Sequence, residues 1–157
     1  PVGRLDKESE GLILMTNPGD LMNQILRPGN AHEKEYLVEV NRPVTAGFLE
    51  ALRRGVPMLG TVTAPCKAEK TGAKSFRMIL TQGLNRQIRR MCEYFDYRVE
   101  ELERVRIMNI LLGDLKEGSY RHVTGKEYET LLELIAHSDN MPVIPKKERK
   151  DGRKSKN

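Results

Sequence analysis

The sequence predicts an α+β fold in which helices pack against a mostly antiparallel sheet. In several short segments apolar and polar side chains alternate, which is typical of strands with one buried face. Other segments repeat apolar residues every three or four positions, as amphipathic helices do. The strands and helices lack the regular strand–helix–strand alternation of a parallel sheet, and this favours the antiparallel arrangement.

The first predicted elements follow a polar turn that lies between Gly3 and Gly11. A continuous apolar run from Leu12 to Met15 comes next and is expected to form a buried strand. A short helix is then predicted from Leu21 to Arg27, where a Pro-Gly pair would end it.

The central part of the chain is expected to contain three strands and one helix. Residues Glu35 to Val40 alternate in polarity, so they predict a half-buried strand. Thr45 begins a helix that Gly55 ends. Further strands are predicted from Thr61 to Glu69 and from Ser75 to Thr81.

The last third of the domain is expected to begin and end with a helix. The first helix runs from Asn85 to Phe95, and strand-like segments follow near 99–105, 108–112 and 120–123. A capping box from Thr124 to Glu127 predicts the start of the final helix. The apolar face of that helix consists of Tyr128, Leu131, Leu132 and Ile135.

The length of 157 residues fits one domain with a real core, which we expect to occupy residues 1–140. The chain has no apolar run of membrane-spanning length and no signal pattern, so a cytoplasmic protein is expected. Cys66 and Cys92 lack metal-binding spacing and are expected to be reduced. The three histidines also lack such spacing, and no metal site is predicted.

The net charge of +5 resides in the C-terminal tail, residues 141–157, which has seven basic and two acidic side chains. The remaining chain is neutral overall. The tail is nearly free of apolar residues beyond its start and is expected to be disordered. It would either bind phosphates without sequence preference or simply improve solubility.

Asp6 is the strongest candidate for chemistry. It lies in the polar turn directly before the apolar run, where a rigid element would hold its carboxylate in place. The alternative is an ordinary surface turn in which Asp6 accepts a hydrogen bond from a nearby backbone N–H.

Four motifs occur in order: GRLDKESEGLILMTNPGD, EKEYLV, GLNRQIRRM and LERVRIMNI, which begin at Gly3, Glu33, Gly83 and Leu102. Together they resemble the RsuA-like pseudouridine synthases, the family branch that modifies ribosomal RNA. The first motif departs from the family pattern at its end, where NPGD replaces T-x-D-G. The stretch LRPGNAHEKEYLV further resembles the RluF branch, which acts on large-subunit RNA.

The resemblance implies a bent mixed sheet with a catalytic cleft across its middle. It also implies that a uridine of ribosomal RNA, in 23S rather than 16S, is isomerised to pseudouridine. Such a reaction breaks one glycosidic bond and forms another, so neither a cofactor nor a metal is required. The base must first be flipped out of the folded RNA.

The resemblance also assigns roles to individual residues. Asp6 corresponds to the catalytic carboxylate, acting as nucleophile or base. Tyr36 would stack on the uracil and Ile107 would close the other face; plain core packing is the alternative for both. Arg89 lies on the flank of its helix's apolar stripe, so it would reach Asp6 and bind it. The alternative for Arg89 is a solvated face paired with nearby acids.

Candidate phosphate contacts are Arg4, Lys34, Arg86 and Arg90. Neighbouring glutamates neutralise the stretch that contains Arg104 and Arg106, so these two are weaker candidates.

Family members carry an S4-type RNA-binding domain and a K-P-x-G strand before the first motif, whereas this sequence begins at Pro1. We therefore expect it to be an N-terminally truncated part of a longer protein. The competing functional hypotheses are an RNA-binding ribosome-assembly module that performs no chemistry and an inactive fragment of the enzyme. The sequence does not indicate an oligomeric state.

Overall fold

The computed structural model describes residues 4–15 and 32–136. The helix predicted at 21–27 and the basic tail at 141–157 lie outside these ranges. The described strands are β1 (Glu10–Gly11), β2 (Lys34–Val40), β3 (Pro57–Met58), β4 (Thr61–Val62), β5 (Lys67–Gly72), β6 (Ser75–Leu80), β7 (Val99–Ile107) and β8 (Ile110–Leu111).

Six of these strands form one sheet in the spatial order β1-β7-β2-β6-β5, with β8 beside β7. Among the described strands of this sheet, β1 and β7 run parallel and every other pair is antiparallel. β3 and β4 form a separate hairpin. The α+β fold with a mixed, mostly antiparallel sheet is therefore confirmed.

The described helices are α1 (Ala46–Arg54), α2 (Gln87–Tyr94) and α3 (Gly125–Ala136). α1 begins as predicted, because the Thr45 hydroxyl accepts a hydrogen bond from the Phe48 N–H, and it ends at Gly55. α3 begins where the capping box predicts it, and the Glu127 carboxylate accepts two hydrogen bonds from Arg121 at 2.7 and 2.8 Å. Within the described ranges, no helix combines the length and apolar character needed to cross a bilayer.

The main core lies between the sheet and the helices α1 and α2. Alternation places Val38 and Val40 of β2 on the same face as Phe76 and Met78 of β6, and all four are buried. Phe48 of α1 joins this cluster and contacts the Phe76 ring edge-on, with the ring centroids 5.7 Å apart. A second cluster fixes α3 beside β8 and consists of Leu12, Ile107, Ile110, Leu131 and Ile135.

The pairing of β7 with β2 contains a β-bulge. Arg106 is opposite Glu35, but Arg104 is opposite Tyr36, so the register skips Val105. Since paired residues share a face, Arg104 lies on the Tyr36 face and Arg106 on the opposite one. Arg106 donates there to Glu35 at 2.9 Å.

The prediction of a continuous buried strand from Leu12 to Met15 is wrong. The regular strand β1 ends at Gly11, and only Leu12 of this apolar run is fully buried. Ile13 and Met15 are exposed, Met15 by 72%. The reason is that successive side chains of this segment point in opposite directions, and only Leu12 and Leu14 pack against the second cluster.

Two other strand predictions also require correction. The segment from Thr61 to Glu69 is divided between β4 and β5, and Pro65, which has no N–H to donate, lies in the break. Residues 120–123 form no strand; they are irregular, and Tyr120 is 83% exposed.

Candidate active site

Asp6 opens a tight turn at the edge of the sheet. The Ser9 N–H donates to the Asp6 carbonyl at 3.0 Å, which closes the turn. β1 follows directly and pairs with β7, and the Leu12 N–H donates to the Arg104 carbonyl at 2.8 Å. Asp6 itself is half-buried. The turn thus fixes the backbone of Asp6 beside β7.

A cavity of about 330 Å³ lies between this turn, the face of β2 and β7, and the loop that leads into α2. It falls within the range of small-molecule pockets, roughly 300–1,000 Å³. Six predicted site residues line it, namely Arg4, Asp6, Lys34, Tyr36, Arg86 and Ile107. Residues that are distant in sequence therefore converge on one concave surface.

Tyr36 and Ile107 supply apolar surface to the wall formed by the sheet. Leu102 adds to the same wall, because the bulge in β7 keeps Leu102 and Ile107 on one face although they are five positions apart. A planar base could contact these side chains while its sugar lies beside Asp6. The described lining of the cavity therefore combines one carboxylate with an apolar wall and several cations.

Arg89 reaches the Asp6 turn but does not bind Asp6 in this structure. Its Nη2 donates to the Ser9 hydroxyl at 3.2 Å, its side chain is buried, and its Nε has no hydrogen-bond partner among residues 4–15 and 32–136. Within the described ranges, no ion pair of 4 Å or less joins Arg89 to Asp6. The helix geometry thus brings the guanidinium to the correct turn, and Ser9 is its direct partner.

The other two arginines of the motif make local contacts. Arg86 donates to the Glu8 carboxylate at 3.1 Å, so it joins the α2 loop to the Asp6 turn. A backbone hydrogen bond and, secondly, this guanidinium lower the pKa of Glu8. Arg90 donates to the carbonyl and the side chain of Asn85 at 3.0 and 2.9 Å, and it does not line the cavity.

Lys34 adds positive charge to a partly desolvated position in the wall. Burial is the main reason why the pKa of Lys34 is lowered, and the charge of Arg104 lowers it further. Both cations line the cavity. An anionic group that enters the cavity would relieve their mutual repulsion.

Sequence reasoning missed the most deeply buried cation of the site. Arg104 is only 3% exposed and lines the cavity, although neighbouring glutamates made it appear a neutralised surface residue. The spacing within the motif was a signal for Arg104. It lies two positions after Leu102, so alternation places both on one face, but it lies three positions before Ile107. Strict alternation cannot place all three on one face, and the bulge does so.

No group of three or more His, Cys, Asp or Glu side chains within residues 4–15 and 32–136 has an arrangement that would hold a metal ion. The cations of the cavity are better suited to phosphate or carbonyl oxygens.

Three comparisons connect this geometry with known proteins. The family model described as RNA pseudouridylate synthase matches residues 1–94. The dual-specificity RNA pseudouridine synthase RluF of Escherichia coli K12 is 55% identical over 140 residues, which cover 89% of this chain and 48% of that protein. The ribosomal large subunit pseudouridine synthase B of Bacillus subtilis is 32% identical over 146 residues, covering 89% and 60%.

A solved pseudouridylate synthase structure superposes with a TM-score of 0.75 at 30% identity. The match covers 85% of this chain and 58% of that one. The chain thus spans about half the length of the first of these curated relatives.

Proposed function

Because the chain belongs to the RNA pseudouridylate synthase family, we propose that its cavity binds one flipped-out uridine of ribosomal RNA and isomerises it to pseudouridine. The observation that carries this proposal is the position of Asp6 at a cavity that Tyr36 and Ile107 also line. A carboxylate next to an apolar wall matches what the reaction needs, because the ribose must meet the acid while the base remains held.

The reaction leaves the composition of the RNA unchanged. The bond from N1 of uracil to C1′ of the ribose breaks, the base turns, and C5 forms the new bond to C1′. The hydrogen on C5 then leaves, and N1 gains a proton. Only groups that attack, hold and move protons are required, and these are the groups that line the cavity.

Asp6 is the proposed catalytic residue, acting as nucleophile or base beside the ribose. Tyr36 would stack on the uracil and relay the proton at C5 through its hydroxyl, and Ile107 would contact the other face of the base. Arg89 is the proposed partner of the Asp6 carboxylate, and its hydrogen bond to Ser9 of the same turn at 3.2 Å supports this role.

Arg4, Lys34 and Arg86 are the proposed contacts to RNA phosphates, because they line the cavity. Arg90 would contribute from outside the cavity. The name of the B. subtilis relative supports 23S rather than 16S RNA as the substrate. The cytoplasm, where ribosomes are assembled, is the compartment that this function implies.

The test measures tritium release from in vitro transcribed 23S RNA that is labelled at C5 of uridine, since forming the new bond at C5 displaces that hydrogen. Asp6→Asn should lower the release rate at least about 100-fold, because the lost group is the attacking carboxylate. RNA affinity should stay the same. Glu10→Gln is the matched control, since it removes one exposed carboxylate from the same segment.

The proposal fails if the wild-type protein releases no tritium, or if Asp6→Asn remains as active as Glu10→Gln. No tritium release from the wild-type protein, together with loss of RNA binding on charge reversal at Arg86, would instead favour a binding module without chemistry.

A further inference from the structure

We infer that Arg104 is the positioning residue of the site: its guanidinium holds the Asp6 turn against the sheet on both sides of the carboxylate. This inference rests on the proposed function, in which Asp6 carries the chemistry. It concerns a residue whose role no comparison of this chain assigns, and it comes from contacts that surround Asp6.

The side chain of Arg104 joins two points of the chain that flank Asp6. Its Nε donates to the Leu12 carbonyl at 2.9 Å, after the turn, and its Nη1 donates to the Arg4 carbonyl at 3.3 Å, before the turn. One planar guanidinium therefore closes the whole segment from residue 4 to residue 12 into a loop.

The backbone of Arg104 holds the same segment. Gly11 is paired with Arg104 in the parallel β1–β7 ladder, and the Arg104 carbonyl accepts from the Leu12 N–H at 2.8 Å. The approach is so close that a Cβ at Gly11 would lie 2.3 Å from the Arg104 carbonyl oxygen. The turn is thus attached to β7 through both the main chain and the side chain of one residue.

The burial of Arg104 indicates a functional role in addition to a contribution to stability. Arginine is seldom fully buried without a carboxylate partner, and no carboxylate pairs with Arg104 within the described ranges. Its Nη2 has no hydrogen-bond partner among the described residues either. An arrangement that costs free energy in this way is typical of functional sites.

The location of Arg104 indicates which function would offset the free-energy cost of its burial. Arg104 is paired with Tyr36 across the β2–β7 ladder, so both side chains lie on the cavity face. By holding the Asp6 turn, Arg104 fixes the distance between the carboxylate and the residue proposed to stack on the base. A catalytic group misplaced by about 1 Å can lose about 100-fold in rate.

The experiment compares Arg104→Lys and Arg104→Gln with Arg77→Lys, an arginine of the outer sheet face that is paired with Glu35 at 3.0 Å. Lysine keeps the charge but lacks the fork that spans two carbonyls. In the tritium-release assay on 23S RNA, Arg104→Lys should lower kcat about 100-fold and leave KM unchanged. Arg77→Lys should leave both unchanged.

Hydrogen exchange supplies a readout that does not depend on activity. Amides of Ser9 and Leu12 should exchange faster in Arg104→Lys, while amides of β6 keep their wild-type protection. Unchanged exchange in the turn would overturn the inference, and so would a kcat equal to wild type.

An equal loss of protection in β6 would also overturn it, because Arg104 would then be an ordinary stabilising residue. If the wild-type protein is inactive, the proposed function fails, whereas the exchange data still decide whether Arg104 holds the turn. If Arg104→Gln does not fold, Arg104→Lys alone decides.

Discussion

Arg89 of α2 donates a hydrogen bond to the hydroxyl of Ser9 at 3.2 Å, across eighty positions of sequence. This contact attaches the helix that carries the basic motif to the turn that carries Asp6. Arg89 is 8% exposed, and its Nε has no hydrogen-bond partner in the part of the chain that the structure describes. The Ser9 hydroxyl is therefore an important hydrogen-bond acceptor for this guanidinium.

Ser9→Ala is expected to lower the free energy of unfolding by about 1–3 kcal/mol, because a buried guanidinium loses a hydrogen-bond partner. Denaturant unfolding measures this change. Ser75→Ala is the matched control, since its hydroxyl accepts an exposed bond from Thr71, and it should change stability by less than about 0.5 kcal/mol. Equal effects of the two substitutions would contradict the prediction.

Gly11→Ala is expected to destabilise the protein by more than about 1 kcal/mol, because Gly11 has a φ of +115° and its added Cβ would collide with the Arg104 backbone. Gly47→Ala should instead stabilise by about 0.5–1 kcal/mol, since Gly47 lies in α1 with open space around it. Thermal unfolding of both variants tests this contrast. The prediction is wrong if the two shift the midpoint in the same direction.

Lys34→Met is expected to raise the free energy of unfolding at pH 7. The pKa of Lys34 is lowered by burial and then by Arg104, so the folded protein binds this proton less readily than the unfolded chain. The gain from the substitution is full below the lowered pKa and declines as the pH rises toward 10.5. Urea unfolding across this range, with exposed Lys74→Met as the control, tests the trend.

The same substitution should weaken RNA binding. Loss of one phosphate contact would reduce the slope of log affinity against log salt concentration by about one. A variant that is more stable but binds RNA as well as wild type would show that Lys34 makes no such contact.

Both thiols are expected to react slowly with Ellman's reagent at pH 8 in the native protein. Burial raises the pKa of Cys92 to about 12 and that of Cys66 to about 11, so thiolate is scarce at this pH. The Cys66 Sγ also donates to the Leu52 carbonyl at 3.4 Å. In denaturant both thiols should react at the rate of free cysteine, and a native rate equal to that would refute the prediction.

Much of the fold could be predicted because local patterns record which face is buried. The alternation from Glu35 to Val40 predicted a half-buried strand, and β2 does bury Val38 and Val40. Thr45 marked the start of α1 through its own hydroxyl. These signals depend on neighbouring residues alone, so a sequence is enough to read them.

The errors arose where distant pairing decides the structure. The exposure of Met15 depends on which face of its segment packs against the second cluster, and residues distant in sequence form that cluster. Six of the predicted site residues line one cavity. This grouping could be predicted because the family motifs assign these residues to one site. The role of Arg104 could not be predicted, because it depends on a bulge set by the partner strand and on two carbonyls about ninety and one hundred residues away.

The extra residue in β7 also determines how the strand tolerates changes in length. Since Val105 is skipped in the pairing with β2, its deletion would leave Arg104 and Ile107 with their present orientation and would remove the local kink, together with the carbonyl that accepts from the Leu112 N–H. Deletion of Glu103 would shift the parity of the strand and turn Arg104 away from the turn that it holds. Deletion of one residue therefore preserves the faces on which the side chains of this strand lie when it occurs at Val105, and it reverses them when it occurs at Glu103.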